Sequence, residues 1–113
     1  MSEEKVLDAE NWRNEARSVI NDVSNHVKTI EISASSANDD GHIYLNVTTL
    51  ENANYCVELS AAGFRIVGVS HDANDLDDGE RYETPYALLG KISASFRRSF
   101  ADELMSKLKR AAE

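Results

Sequence analysis

The sequence predicts a single α+β domain, in which a four-stranded antiparallel meander sheet packs with one N-terminal helix and two C-terminal helices. Three observations predict this fold. Apolar residues recur with a helical period near the N-terminus, and four alternating segments joined by short turns follow. A C-terminal stretch then carries apolar residues at every fourth position. With 113 residues, the chain is long enough for one core and too short for two.

The composition limits the classes of function. Charged residues make up 28% of the chain and apolar residues 42%, which is typical of a globular protein. The net charge of −8 disfavours nucleic acids and anionic membranes as partners and favours a basic or neutral protein surface. The charged N-terminus and the absence of a long apolar run predict a location in the cytoplasm, or in both cytoplasm and nucleus.

The first helix is predicted from Trp12 to Val27, after a flexible tail of residues 1–10, and residues 11–113 form the domain. Its apolar side chains fall within an arc of about 100° on a helical wheel, which indicates one buried face. They are Trp12, Ala16, Val19, Ile20, Val23 and Val27.

Four segments with an alternating pattern follow the helix and predict four strands. Each turn between them is too short for a parallel crossover, so neighbouring strands must pair antiparallel. The residues expected to share one face are Ile30, Ile32 and Ala34 in the first strand, Ile43, Leu45 and Val47 in the second, and Tyr55, Val57 and Leu59 in the third. The segments span residues 29–34, 42–50, 55–60 and 64–71.

The segment 72–81 is rich in acidic residues and lacks any periodicity. Asp72 and Asn74 fit the alternating ligands of a calcium loop, but Leu76 occupies the next ligand position and Gly79 is out of register. We therefore expect a solvated loop and no metal site.

No pattern in the sequence predicts catalysis or a cofactor. His26, His42 and His71 are not spaced as metal ligands and are expected at the surface. Cys56 has no partner for an internal disulfide, and its position inside a strand favours a packing role over a nucleophilic one. We therefore expect a protein that is not an enzyme.

Two helices are predicted at the C-terminal end. Thr84 and the only proline, Pro85, are suited to the N-cap and first position of a short helix that ends near Gly90. Ser93 or Ser95 then caps a longer helix that runs almost to the end of the chain.

The longer helix carries the feature most informative about function, a row with a constant spacing of four. Four residues turn a helix by about 400°, so each step drifts by about 40° and the row winds from one face to another. If the row begins in the core, then Leu104, Met105 and Leu108 form an exposed apolar patch. The patch could enter a partner's groove, the helix could curve around its own core, or the chain could self-associate. The row is Ile92, Phe96, Phe100, Leu104 and Leu108.

Three segments, 13–23, 44–68 and 82–108, resemble the glycogen synthase kinase 3 beta interaction protein family. The most specific part of the resemblance is the run Tyr55–Leu59, followed by Gly63. The length of the chain suggests a stand-alone member of the family.

The resemblance implies a non-enzymatic scaffold whose C-terminal helix docks on glycogen synthase kinase 3 and inhibits or localises it. The matching kinase-contacting positions are Phe96, Phe100, Leu104 and Leu108, which are all apolar here. The resemblance implies no cofactor, and we expect a monomer or a weak homodimer. The alternative is a structural module that uses the same helix to self-associate or to join a larger assembly.

Some members of this family also anchor protein kinase A through a type II regulatory subunit, which binds their first long helix. The matching positions are Ile20 and Ser24, and Ser24 is polar where the anchoring members have a leucine. A groove that buries a leucine would lose about 1.5–3 kcal/mol with serine. We therefore expect weak or absent anchoring.

Overall fold

The computed structural model describes residues 9–34, 41–76 and 80–112. It confirms the predicted α+β fold, with one helix before the sheet and two after it. The elements are α1 (Ala9–Val23), a 3₁₀ turn (Ser24–His26), β1 (Thr29–Ile32), β2 (His42–Thr48), β3 (Asn54–Ser60), β4 (Gly63–Gly68), α2 (Pro85–Ile92) and α3 (Ala94–Ala112).

The four strands form an antiparallel meander in the order β1-β2-β3-β4, as predicted. Gly63 begins β4 with φ of +115°, a conformation that side chains with a Cβ rarely adopt. A Cβ at Gly63 would also lie 2.5 Å from the carbonyl oxygen of Tyr82. Tyr82 approaches so closely because it exchanges two backbone hydrogen bonds of 2.8 Å with Phe64, which covers part of the outer edge of β4.

One face of the sheet forms the main core with the helices. Val47, Val57 and Leu59 point into this core from the central strands, in agreement with the predicted alternation. The helix α1 packs on the sheet, whereas α3 packs chiefly against α2 and the 3₁₀ turn. Because α3 packs chiefly on α2 and the 3₁₀ turn rather than on the sheet, much of its surface is left uncovered.

The opposite face of the sheet is also covered. An alternating pattern of apolar and polar residues predicts that this face is solvated. Tyr44, Cys56 and Val67 form a small buried cluster there, so the packing role predicted for Cys56 fits its position. Asp72 holds the segment that follows β4 against this face by hydrogen bonds to Asn46 of β2. Its backbone N–H donates to Asn46 Oδ1, and its carboxylate accepts from Asn46 Nδ2, both at 2.8 Å.

Several predicted boundaries were wrong. The first helix ends at Val23 rather than Val27, because Val27 is already extended (φ −134°, ψ 166°) to enter β1. The strand β4 ends at Gly68 rather than His71, since the chain turns there toward the opposite face of the sheet. The short helix continues past Gly90 to Ile92.

Residues 1–8, 35–40 and 77–79 lie outside the described residues; they include most of the predicted tail, the turn between β1 and β2 and part of the acidic loop. Residues 9 and 10 of the predicted tail belong to α1 instead. In the part of the acidic loop that is described, Asp72 is bonded to the sheet rather than only solvated. Among the described residues, no helix is long and apolar enough to cross a membrane.

Candidate partner-binding surface

From Phe96 onward the row of apolar residues with a spacing of four winds from the core to solvent, as its angular drift predicts, whereas Ile92 is the last residue of α2. Phe96 is 2% exposed and belongs to the core, and Phe100 is half-buried against it. Further along the helix, Leu104 is 50% exposed and Leu108 is 58% exposed. Phe96 therefore holds α3 from the inside, while Leu104 and Leu108 face outward.

Four apolar residues form an exposed band along the outer half of α3. Ala101, Leu104, Met105 and Leu108 follow the i, i+3, i+4, i+7 spacing of one helix face, and all four are exposed. We call these four residues the α3 stripe. From Leu104 to Ala112 every residue is exposed, so this part of the helix projects from the domain. Such a band is what a hydrophobic groove on a partner would receive.

The N-terminus of α3 is capped by two residues. The backbone N–H of Phe96 donates to Ser93 Oγ at 2.9 Å, which confirms Ser93 as the capping serine. The Ser93 hydroxyl in turn donates to Glu51 Oε1 at 2.7 Å, and the Ser95 backbone N–H donates to Glu51 Oε2 at 2.8 Å. Glu51 lies in the turn between β2 and β3, so the sheet fixes where α3 begins.

These hydrogen bonds also perturb the acidity of Glu51. The Ser95 backbone N–H and then the Ser93 hydroxyl favour the ionised carboxylate and lower the pKa of Glu51 from 4.5 to about 2. A negative charge at this position also complements the positive end of the helix dipole.

His26 forms a second attachment for α3, and its predicted surface position was wrong. The side chain is 2% exposed because the 3₁₀ turn places it beneath α3. Its Nδ1 lies 2.7 Å from Ser99 Oγ, and its Nε2 lies 2.9 Å from Glu103 Oε1. A carboxylate can only accept, so Nε2 carries the proton that is donated to Glu103. Both ring nitrogens are thus satisfied inside the protein.

Aromatic rings complete the support of the helix. The edge of the His26 ring meets the rings of Phe96 and Phe100, with centroids 5.7 and 5.6 Å away. Phe100 also packs on Tyr86 of α2, with 5.0 Å between the ring centroids. The ring of Phe100 thus contacts three aromatic neighbours, while part of it remains accessible at the start of the α3 stripe.

The two positions matched to protein kinase A anchoring lie on the first helix and the turn after it. Ile20 is half-buried and packs against the main core, whereas Ser24 is exposed at the start of the 3₁₀ turn. Ser24 offers a partner no apolar side chain at the second position. Weak or absent anchoring stays a prediction.

The described residues include no group of three or more histidine, cysteine or acidic side chains that could hold a metal ion. A groove of about 340 Å³ between α1 and the β3–β4 turn contains Trp12, Phe64 and the carboxylates of Glu15 and Glu83. Apart from these two carboxylates and Ser60, the residues that line the groove are apolar. Ser60 is thus the one nucleophilic side chain in this lining that could act with the carboxylates.

A covered sheet that carries a projecting amphipathic helix defines a helix-presenting interaction domain. The chain belongs to the GSKIP domain family, whose family model matches residues 12–111. It is 37% identical to the GSK3B-interacting protein of Bos taurus over 102 residues, which cover 89% of this chain and 73% of the relative. The GSK3B-interacting protein of Homo sapiens is 36% identical with the same coverage. The Drosophila melanogaster protein GSKIP homolog is 38% identical over 74 residues, covering 61% of this chain and 62% of that protein.

Sequence patterns did not reveal the residues that orient α3. Glu51 lies in a polar turn and is distant in sequence from the helix that it caps. Ser99 and Glu103 are four residues apart on α3 and so share a helix face, but nothing in the sequence connects that face to His26.

Proposed function

We propose that this protein is a non-enzymatic adaptor that binds glycogen synthase kinase 3 through the α3 stripe. Two relatives that are named for an interaction with this kinase are 36 to 37% identical to this chain over 102 aligned residues. The observation that carries the proposal is the exposure of Leu104, Met105 and Leu108 on a helix that projects from a well-packed domain. Phe100, half-buried beside this stripe, is proposed to contribute its accessible edge.

The support beneath α3 favours binding because the helix need not become ordered when a partner arrives. Glu51 caps its N-terminus, and His26 and Phe96 hold its inner face. A helix backbone that is already fixed loses less conformational entropy on association, which leaves more of the contact energy available as affinity.

The stripe alone supplies only part of the affinity of a specific complex. Full burial of a Leu or Met side chain is worth about 1.5–3 kcal/mol, and the three large stripe residues have roughly half of that still to gain. Together they contribute about 2–4.5 kcal/mol, whereas a micromolar complex requires about 8 kcal/mol. Side chains that flank the stripe must therefore take part.

We further propose that docking inhibits or localises the kinase. Occupying a groove excludes any other protein that uses the same groove, and a tethered adaptor changes where the kinase acts. A kinase assay with a short peptide substrate and with a protein substrate separates these effects. Loss of activity toward both substrates indicates inhibition of catalysis, and loss toward the protein substrate alone indicates a blocked docking groove. Retained activity toward both excludes inhibition and leaves localisation as the effect.

Titration calorimetry with purified glycogen synthase kinase 3 beta tests binding directly. We expect saturable binding with one chain per kinase and a negative heat-capacity change, because the stripe is apolar. The chain alone should remain monomeric by mass measurement at the same concentrations. No saturable binding up to about 100 μM kinase, or a dimer in which Leu104 and Leu108 are buried, would contradict the proposal.

A further inference from the structure

Charge is distributed very unevenly between α3 and the rest of the chain. The helix contains five of the 12 lysines and arginines but only two of the 20 acidic residues, which gives it a net charge of +3. The rest of the chain therefore carries a net charge of −11, which together with the +3 of α3 gives the total of −8. The described residues outside the helix, 9–34, 41–76 and 80–93, carry a net charge of −4, so a basic helix projects from an acidic body.

Most of these cations are not used inside the domain. Arg97 donates to the carbonyl oxygen of Gly90 at the end of α2. Four other cations on α3 are exposed and form no hydrogen bond or ion pair within the described ranges 9–34, 41–76 and 80–112. Of the two acidic residues of α3, Glu103 is bonded to His26, whereas Asp102 is exposed four residues after Arg98. The four cations are Arg98, Lys107, Lys109 and Arg110.

Two of the four cations border the α3 stripe. At about 100° per residue, Arg98 and Lys109 lie within about 40° of Met105 around the helix axis. By contrast, Arg110 lies on the opposite side of the helix, about 170° from the centre of the stripe. Asp102 lies on the same side, about 60° from Met105, so this margin of the apolar surface carries two cations and one acidic residue.

The helix dipole does not account for this arrangement. Cations in the last turn oppose the negative end of the dipole, which explains Lys109 and Arg110 equally well. Arg98 lies near the N-terminal end of α3, where the dipole gives a cation no benefit. Arg98 lies two turns before Met105 on the same side of the helix, and neither the dipole nor an ion pair among the described residues accounts for its position.

We propose that the α3 stripe fits a protein groove with an apolar floor and an acidic margin on the side of Met105. This inference rests on the proposed function, and it specifies the chemistry of the partner's surface. Arg98 and Lys109 pair with the acidic margin, steer the encounter and fix the rotation of the helix in the groove. The acidic body is repelled by the same margin, so only the projecting helix approaches it closely.

An anionic membrane would also attract a basic amphipathic helix. The charge of −11 on the rest of the chain disfavours a membrane, because a broad anionic surface repels the body as it attracts the helix. The stripe also has no exposed Trp or Phe among its four residues to insert at a lipid interface.

Association kinetics with purified glycogen synthase kinase 3 beta test this inference, with Lys109→Glu and Arg110→Glu as a matched pair. The two substitutions change the charge equally, at neighbouring positions in the same helical turn. We expect Lys109→Glu to lower the association rate constant about 5- to 10-fold at low salt and Arg110→Glu to lower it by less than about twofold. Arg98→Glu should behave like Lys109→Glu, and the difference should shrink in 0.5 M salt as the charges are screened.

Equal rate constants for the two variants, with Leu108→Ala still weakening the complex, would overturn the acidic margin and leave the proposed function intact. Failure of the wild-type chain to bind the kinase would overturn both. Vesicles of phosphatidylcholine and phosphatidylserine provide a separate arm. We expect no sedimentation of the chain with them, and binding that Lys109→Glu abolishes would identify a membrane as the partner instead.

Discussion

The carboxylate of Glu51 accepts a hydrogen bond from the backbone N–H of Ser95, with 2.8 Å between Oε2 and N. The two residues belong to a strand connection and to the first turn of α3, so the bond fixes the start of the helix to the sheet. His26 fixes the same helix one to two turns further along, through Ser99 and Glu103. The exposed half of α3 is thereby held in a defined direction.

The attachment by Glu51 should weaken in acid. The pKa of Glu51 is about 2 in the folded protein, below its ordinary value of 4.5, so protons bind more readily to the unfolded chain. The stabilisation is complete above pH 4.5 and declines as the pH falls toward 2. We expect the difference in melting temperature between wild type and Glu51→Gln to shrink over this range. The exposed Glu31→Gln variant serves as control, and a difference independent of pH would contradict the role of Glu51.

Replacement of His26 should destabilise the protein. His26→Ala removes two side-chain hydrogen bonds and two ring contacts, which predicts a loss of about 1–3 kcal/mol in the free energy of unfolding. Urea denaturation measures the loss. His71→Ala is the matched control because that histidine is exposed, and we expect it to cost less than about 1 kcal/mol. Equal losses in the two variants would argue against His26 as an internal attachment.

Replacement of Phe96 should chiefly lower the stability of the protein, because its side chain lies in the core. Phe96→Ala leaves a cavity among core side chains and should cost about 3–5 kcal/mol, as measured by urea denaturation. A change below about 1 kcal/mol would show that Phe96 is not a core residue.

The thiol of Cys56 should be inert in the folded protein. It is fully buried on the second face of the sheet, where a modifying reagent cannot reach it. We expect no reaction with a thiol reagent under native conditions and complete reaction in denaturing urea. Rapid native labelling would indicate that the covering chain after β4 opens readily.

Local sequence patterns were sufficient for most of the fold. Thr84 and Ser93 were predicted as capping residues, and each accepts a backbone N–H of its helix. The alternation of Val47, Val57 and Leu59 predicted the core face of the sheet. These features depend on residues a few positions apart, whose relation is set by the geometry of one helix or strand.

The residues that orient α3 required the structure. His26 and Glu103 are 77 positions apart, and their hydrogen bond forms only after the sheet has folded between them. A polar residue on an isolated helix gives no sign of whether a distant partner will cover it. The covered second face of the sheet was missed for the same reason, since Asp72 reaches Asn46 from 26 residues away.

The most direct measurement compares two exposed apolar residues, Leu108 and Val69, in binding to purified glycogen synthase kinase 3 beta. Both are exposed, 58% and 66%, so truncating either to alanine should change the free energy of unfolding by no more than about 0.5 kcal/mol. We expect Leu108→Ala to raise the Kd about 3- to 10-fold and Val69→Ala to leave it within about twofold. An unchanged Kd for Leu108→Ala, with wild-type stability, would contradict docking through the α3 stripe.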